Sequence, residues 1–111
     1  MADETTQITP TELKGRLQAG DDILVIDVRE PHELEISLLK ETLHIPMGDL
    51  PAKLDELEPY KEKSLVILCR AGHRSDRCAE FLRDEGFKHV LNLTGGINAW
   101  SDEVDPSLSK Y

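Results

Sequence analysis

The sequence predicts an α/β fold, a parallel sheet with helices on both faces. Three observations predict it. Strand-like runs, "ILVI", "LHIP", "SLVILC" and "HVLNL", alternate with stretches that carry helix signals. Two of these runs are apolar at consecutive positions, as strands covered on both faces require. Alternating strands and helices close most readily into a parallel sheet, whose right-handed crossovers bring the strands' C-terminal ends to one edge. The 111 residues suit one domain, 1–111, with one core and no disulfide or metal to hold it.

The elements follow in order. In "ITPTELKGRLQAG", Thr9 is the N-cap, Pro10 takes the first helical position, and Glu12 completes a Thr-x-x-Glu capping box. Gly20 closes that helix. Residues 23–26 form a short buried strand. "REPHELEI" reads as a short helix opened by Pro31, and "LHIP" as a second strand stopped by Pro46. "LPAKLDEL" is another short helix, with Leu50, Leu54 and Leu57 on one face. "SLVILC" is a third strand ending at Cys69. The helix in "SDRCAEFLRDEG" starts near Ser75, stops before Gly86, and buries Cys78, Phe81 and Leu82. "HVLNL" is a fourth strand. "TGGINAW" bends at Gly95 and Gly96 into a last helix, with Trp100 capping an apolar face. "DPSLSKY" is a tail that Pro106 keeps from extending that helix.

Composition excludes several classes of function. The formal net charge is -9, and nucleic acid or an anionic membrane would ask for a basic face. No apolar run approaches the length of a membrane span, and the first twenty residues lack a secretory pattern. Two cysteines at this spacing make neither a disulfide framework nor a metal site. No metal or cofactor is expected, and free thiols place the chain in a reducing compartment, the cytoplasm.

The chemistry gathers in "CRAGHR", residues 69–74. Cys69 ends a strand just before a helix begins, and Gly72 permits a turn that other residues resist. Such a turn aims successive N–H groups inward as an anion-binding nest, and the helix start adds unpaired N–H donors. Arg70, His73, Arg74 and Arg77 add positive charge; from 63 to 79 the only acidic residue is Asp76. Surroundings of this kind favour a thiolate, the competent nucleophile. A cysteine ending an apolar strand is commonly a small core hydrophobe. A core thiol needs no glycine turn, arginines or helix start, so Cys69 is read as the nucleophile. Cys78, in phase with Phe81 and Leu82, is read as packing.

Asp27 closes its strand and faces the same edge as Cys69. Asp27, Arg29 and Ser75 are therefore read as supports behind the loop, with structural pairing the expected role of Asp27, Arg29 and Glu30. His73, inside the loop, is placed to contact an anion. His32 and His44 stand apart and are read as surface or supporting residues.

"IDVREPHE", "VILCRAGHRS" and "GFKHVLNLTGGINAW", in this order and spacing, resemble a single-domain rhodanese over nearly the whole chain from about Ile8. The ending "GGINAW…VDPSL…Y" is also similar to the C-terminal rhodanese domain of adenylyltransferases that activate sulfur carriers. The resemblance implies a rhodanese-like sheet and a thiosulfate-type sulfurtransferase. In it Cys69 takes the outer sulfur of thiosulfate or a similar donor, releases sulfite and becomes a persulfide. Cyanide, a small thiol or a protein sulfur acceptor then removes that sulfur. Carried over by position, Arg70, Ala71, Gly72, His73 and Arg74 form the cradle. Their backbone N–H groups hold the persulfide, and Arg70 and Arg74 attract the anionic donor.

A related branch acting on phosphate or arsenate implies a loop one residue longer; here Cys69 to Arg74 counts six, which favours sulfur. The sequence departs from the family at residues 37–42, "SLLKET", where a Gly-His-Ile-Pro-Gly-Ala stretch is common. Two further readings stand beside the enzyme: a sulfur-relay domain serving a protein carrier, and a binding module whose cysteine is idle.

Overall fold

The computed structural model describes residues 6–111. It holds a five-stranded sheet in the order β1-β5-β4-β2-β3, and every pairing is parallel. The strands are β1 (Gln7–Ile8), β2 (Ile23–Asp27), β3 (Leu43–His44), β4 (Ser64–Leu68) and β5 (His89–Leu93). The central strand is β4, in register with β2 through Val25 opposite Val66 and Asp27 opposite Leu68.

The period-two alternation of β4 explains why both faces are covered. Leu65, Ile67 and Cys69 join Ile26, Leu57, Leu82 and Phe87 in one apolar cluster. Val66 and Leu68 join Val25, Leu13, Leu93, Ile97 and Trp100 in another. The helices α3 (Leu54–Leu57) and α4 (His73–Asp84) supply the first cluster; α1 (Pro10–Gln18) and α5 (Gly96–Glu103) supply the second. Each fully buried aliphatic side chain stabilises by roughly 1.5–3 kcal/mol. Trp100 closes its cluster at 6% exposure, as expected.

Local signals read from sequence produce the expected caps. Glu12 N–H donates to Thr9 Oγ1 at 3.1 Å, and Thr9 N–H donates to Glu12 Oε1 at 2.9 Å. Between β2 and β3 lies α2 (Pro31–Leu34), with Pro31 at its start.

Four local readings change. β1 was not anticipated, because two residues are too few to show a period, yet they pair with β5 through Ile8 and Leu93. The segment before α3 is a 3₁₀ helix, Met47–Lys53, with Pro51 inside it. Proline has no N–H to give to an α-helical bond, so tighter winding is the available solution. α4 begins at His73, two residues before the expected start, on Gly72 as a left-handed N-cap. Residues 105–111 are more than a tail: Leu108 and Tyr111, with Val104 before them, fold back onto the Trp100 cluster. Ser101 Oγ donates to Leu108 O at 2.6 Å, and Asn98 Nδ2 donates to Tyr111 O at 3.1 Å. In the departing segment 37–42, Glu41 turns the chain at φ 62° and Leu38 stands 46% exposed.

Because all strands run one way, Asp27, Cys69 and the glycine turn after β5 meet at one sheet edge. No helix among the described residues is long and apolar enough to cross a membrane.

Candidate active site

Cys69 follows β4 directly, and its side chain continues the row of Leu65 and Ile67 toward the start of α4. Two backbone N–H groups aim at its sulfur: Gly72 at 3.1 Å and Ser75 at 3.4 Å. Gly72 adopts φ 100°, a conformation that costs glycine little, and this turns the chain after it into α4, whose Ser75 amide also faces the sulfur. Ser75 Oγ lies 3.2 Å from the sulfur, closer than the supporting place assigned to it from sequence. Cys69 itself is 1% exposed, buried beneath the loop.

Asn92 of β5 orders this loop. Its Nδ2 donates to Gly72 O at 3.1 Å and to Gln7 Oε1 at 2.9 Å, which leaves Oδ1 to accept from Ser75 Oγ. Ser75 therefore has one hydroxyl proton and two acceptors in reach, Asn92 and the sulfur. The loop is also held from behind. Ile97 N–H donates to Cys69 O at 2.9 Å and Asn98 N–H to Arg70 O at 3.2 Å, so the start of α5 grips the loop's carbonyls. Gly96 makes that approach possible, since a Cβ there would overlap both carbonyls.

Two pairs of charged residues form clamps, while Arg70 and Arg77 are exposed and make no ion pair among the described residues. Asp27 and Arg29 are wholly buried and paired, with Arg29 Nη2 2.8 Å from Asp27 Oδ2. Arg29 also donates to Ser37 O at 2.9 Å and to Tyr111 Oη at 3.0 Å. Burial opposes the Arg29 charge, but these partners prevail and its pKa is raised. Of Asp27, Arg29 and Glu30, for which structural pairing is expected, Asp27 and Arg29 pair, while Glu30 is exposed and makes no ion pair among the described residues. His44 Nε2 donates to Arg29 O at 2.7 Å, while His32 is exposed.

Arg74, on the first turn of α4, forks onto Glu33 of α2 at 2.7 and 2.8 Å. The Arg74 fork, helped by the Glu30 N–H and the Tyr111 hydroxyl, holds the Glu33 carboxyl down at about 2 against the cost of burial. The same pairing raises Arg74. The expected free cation at position 74 is thus already matched by a carboxylate. Arg70, by contrast, is exposed, with its guanidinium 5.0 Å from the centroid of the Tyr111 ring. Ala71 and His73 are exposed at the rim of the loop.

Cys78 packs in the same cluster as Cys69, 3% exposed, and both thiols are free. Burial above all pushes the Cys78 thiol up to about 11. A thiol held protonated is a poor nucleophile.

Sequence reasoning missed Glu33, Asn92 and Tyr111. Asn92 left a signal, a polar residue inside an otherwise apolar strand. Glu33 left a weaker one: its carboxylate three residues after Glu30 accepts the Glu30 N–H at 2.8 Å, as in a capping box. Tyr111 left only its place in the ending "GGINAW…VDPSL…Y", because its contacts depend on where the chain returns.

Comparison with known proteins shows the family of this fold. Residues 9–103 match the family model of the rhodanese-like domain. The chain is 38% identical over 103 residues to YtwF of Bacillus subtilis, which carries a provisional sulfurtransferase name, covering 93% of this chain and 97% of that one. It is 34% identical to the maize adenylyltransferase and sulfurtransferase MOCS3-2, covering 97% of this chain but 23% of the maize protein. The crystal structure of a rhodanese-related protein from Thermoplasma volcanium superposes with a TM-score of 0.78 at 31% identity, over 89% of this chain and 93% of that one. The chain belongs to the rhodanese-like domain family.

Proposed function

We propose that this chain, acting as one domain, is a sulfurtransferase that moves sulfane sulfur from thiosulfate or a similar donor to a thiophilic acceptor through a persulfide on Cys69. The observation that carries the reading is the convergence of the Gly72 and Ser75 N–H groups on the sulfur, with the Ser75 hydroxyl beside it. Donors fixed in advance around a developing negative charge lower its energy without reorganisation.

In the first displacement the Cys69 thiolate attacks the outer sulfur of thiosulfate. A new S–S bond forms, the old one breaks, and sulfite leaves with its electron pair. In the second, cyanide or a thiolate attacks the outer sulfur of the persulfide, and Cys69 leaves as thiolate. Ser75 can turn its single proton from Asn92 to the sulfur whenever charge gathers there. Arg70, with His73 at the rim, meets the anionic donor, while the Arg74–Glu33 pair holds the loop against α2. Two reduced, buried thiols suit the cytoplasm.

Initial rates with thiosulfate and cyanide varied together test the covalent intermediate. The reading expects ping-pong kinetics, with parallel double-reciprocal lines. Intersecting lines would replace the persulfide by direct transfer in a ternary complex. A second reading, a relay domain delivering sulfur to a carrier protein, draws support from the similarity to a domain-sized part of the maize protein. It expects a carrier with a C-terminal glycine to accept sulfur faster than small thiols do.

A further inference from the structure

We propose that Tyr111 is a positioning residue whose ring holds Arg70 at the mouth of the Cys69 loop and so sets the loop's preference for anionic reagents. The proposal deepens the sulfurtransferase reading, because an anionic donor is what that charge would select.

The argument begins with charge. Arg74 is already matched by Glu33, and Arg29 by Asp27. Among the described residues Arg70 makes no ion pair and no side-chain hydrogen bond, and it is exposed. Its guanidinium carbon lies over the face of Tyr111, 5.0 Å from the ring centroid. A planar guanidinium over an aromatic face is an attractive arrangement, and it spares a long side chain part of its rotational freedom.

Tyr111 is itself immobilised from two sides. Its hydroxyl accepts from Arg29 Nη1 at 3.0 Å and donates to Glu33 Oε1 at 2.7 Å. Its backbone exchanges hydrogen bonds with Asn98 of α5, the helix whose N-terminal end grips the loop. Burial raises the Tyr111 pKa, which keeps the hydroxyl protonated as the Glu33 contact requires. The ring is therefore a fixed platform, tied to both clamps, on which the loop's unpaired cation rests.

The test uses alkylation of Cys69 in the full 111-residue chain by anionic iodoacetate and by neutral iodoacetamide, followed by peptide mass. No sulfur donor is involved, so its outcome is independent of the sulfurtransferase reading. The ratio of the two rates reports charge at the loop; a general loosening of structure would change both rates together. Tyr111→Leu is expected to lower the iodoacetate-to-iodoacetamide ratio about two- to fivefold, the range of an exposed cation–π contact. In an Arg70→Ala background the same change should lower it no further. Tyr111→Met, which refills the ring's volume with a flexible apolar chain, carries the same expectation if the leucine variant unfolds. An unchanged ratio, or an equal drop with Arg70 already removed, would overturn the proposal.

Discussion

Arg74 holds Glu33 with both ends of its guanidinium, Nη1 2.7 Å from Oε2 and Nη2 2.8 Å from Oε1. The Glu33 side chain is 8% exposed and that of Arg74 35%, so this fork ties α2 to the first turn of α4 with one partner buried and the other at the solvent boundary. It also decides how the site's charge is distributed. One arginine of the loop, Arg74, is paired, and the other, Arg70, makes no ion pair among the described residues.

The fork predicts a particular acid sensitivity. The folded pKa of Glu33, about 2, lies below its ordinary 4.5, so the pair's contribution is full above pH 4.5 and is lost as pH falls through 2. With Arg74 35% exposed, solvent screening brings the pair's contribution down to about 1–2 kcal/mol. Urea unfolding measured between pH 5 and 2 should show wild type losing stability with a component that Glu33→Gln lacks. At pH 7 that variant should already be less stable by about the same amount. Parallel pH curves for the two proteins would show that the fork contributes nothing.

Ser75→Ala removes the hydroxyl nearest the Cys69 sulfur and leaves Asn92 Oδ1 without its donor. The expected result is a fall of about tenfold to a hundredfold in kcat/KM for sulfur transfer, somewhat below the loss of a full oxyanion donor. Steady-state rates decide it; an unchanged kcat/KM would mean that the two amides suffice.

Gly96→Ala places a methyl against the carbonyls of Cys69 and Arg70 at a residue with φ 62°. Both backbone strain and overlap oppose it, so a loss of at least about 2 kcal/mol is expected in denaturant unfolding. Activity should fall in the folded fraction as well, because the overlap displaces the loop that carries the thiol.

Cys78→Ala separates the two thiols. Cys78 is buried and protonated, so the variant should keep wild-type transfer rates while losing about 1–2 kcal/mol of packing. A transfer rate that collapses with stability preserved would assign Cys78 to the chemistry.

How much of this was legible in the sequence depended on the range of each interaction. Thr9 and Glu12 cap each other across three residues, and the consecutive apolar positions of 65–68 report a two-sided burial; both are local. The placing of Cys69 before a glycine turn and a helix was readable for the same reason. The start of α4 was misplaced because Gly72 serves as both turn and cap, which a composition of helix formers does not reveal. The pairing of Arg74 was hidden for a different reason: Glu33 lies 41 positions away and approaches only once the sheet has formed. Tyr111 was read as tail because residues 105–111 carry no period, and only the packing of Leu108 and the Asn98 bonds turn them back. Asn92 stood in view inside "HVLNL", and its polarity in a buried strand was the signal to follow.

The central claim is that Cys69 carries sulfur, and intact-protein mass after incubation with thiosulfate tests it most directly. The account predicts a gain of one sulfur atom, removed by cyanide and absent from Cys69→Ser, with Cys78 in place throughout. No gain in the wild-type chain, or an equal gain in Cys69→Ser, would contradict it.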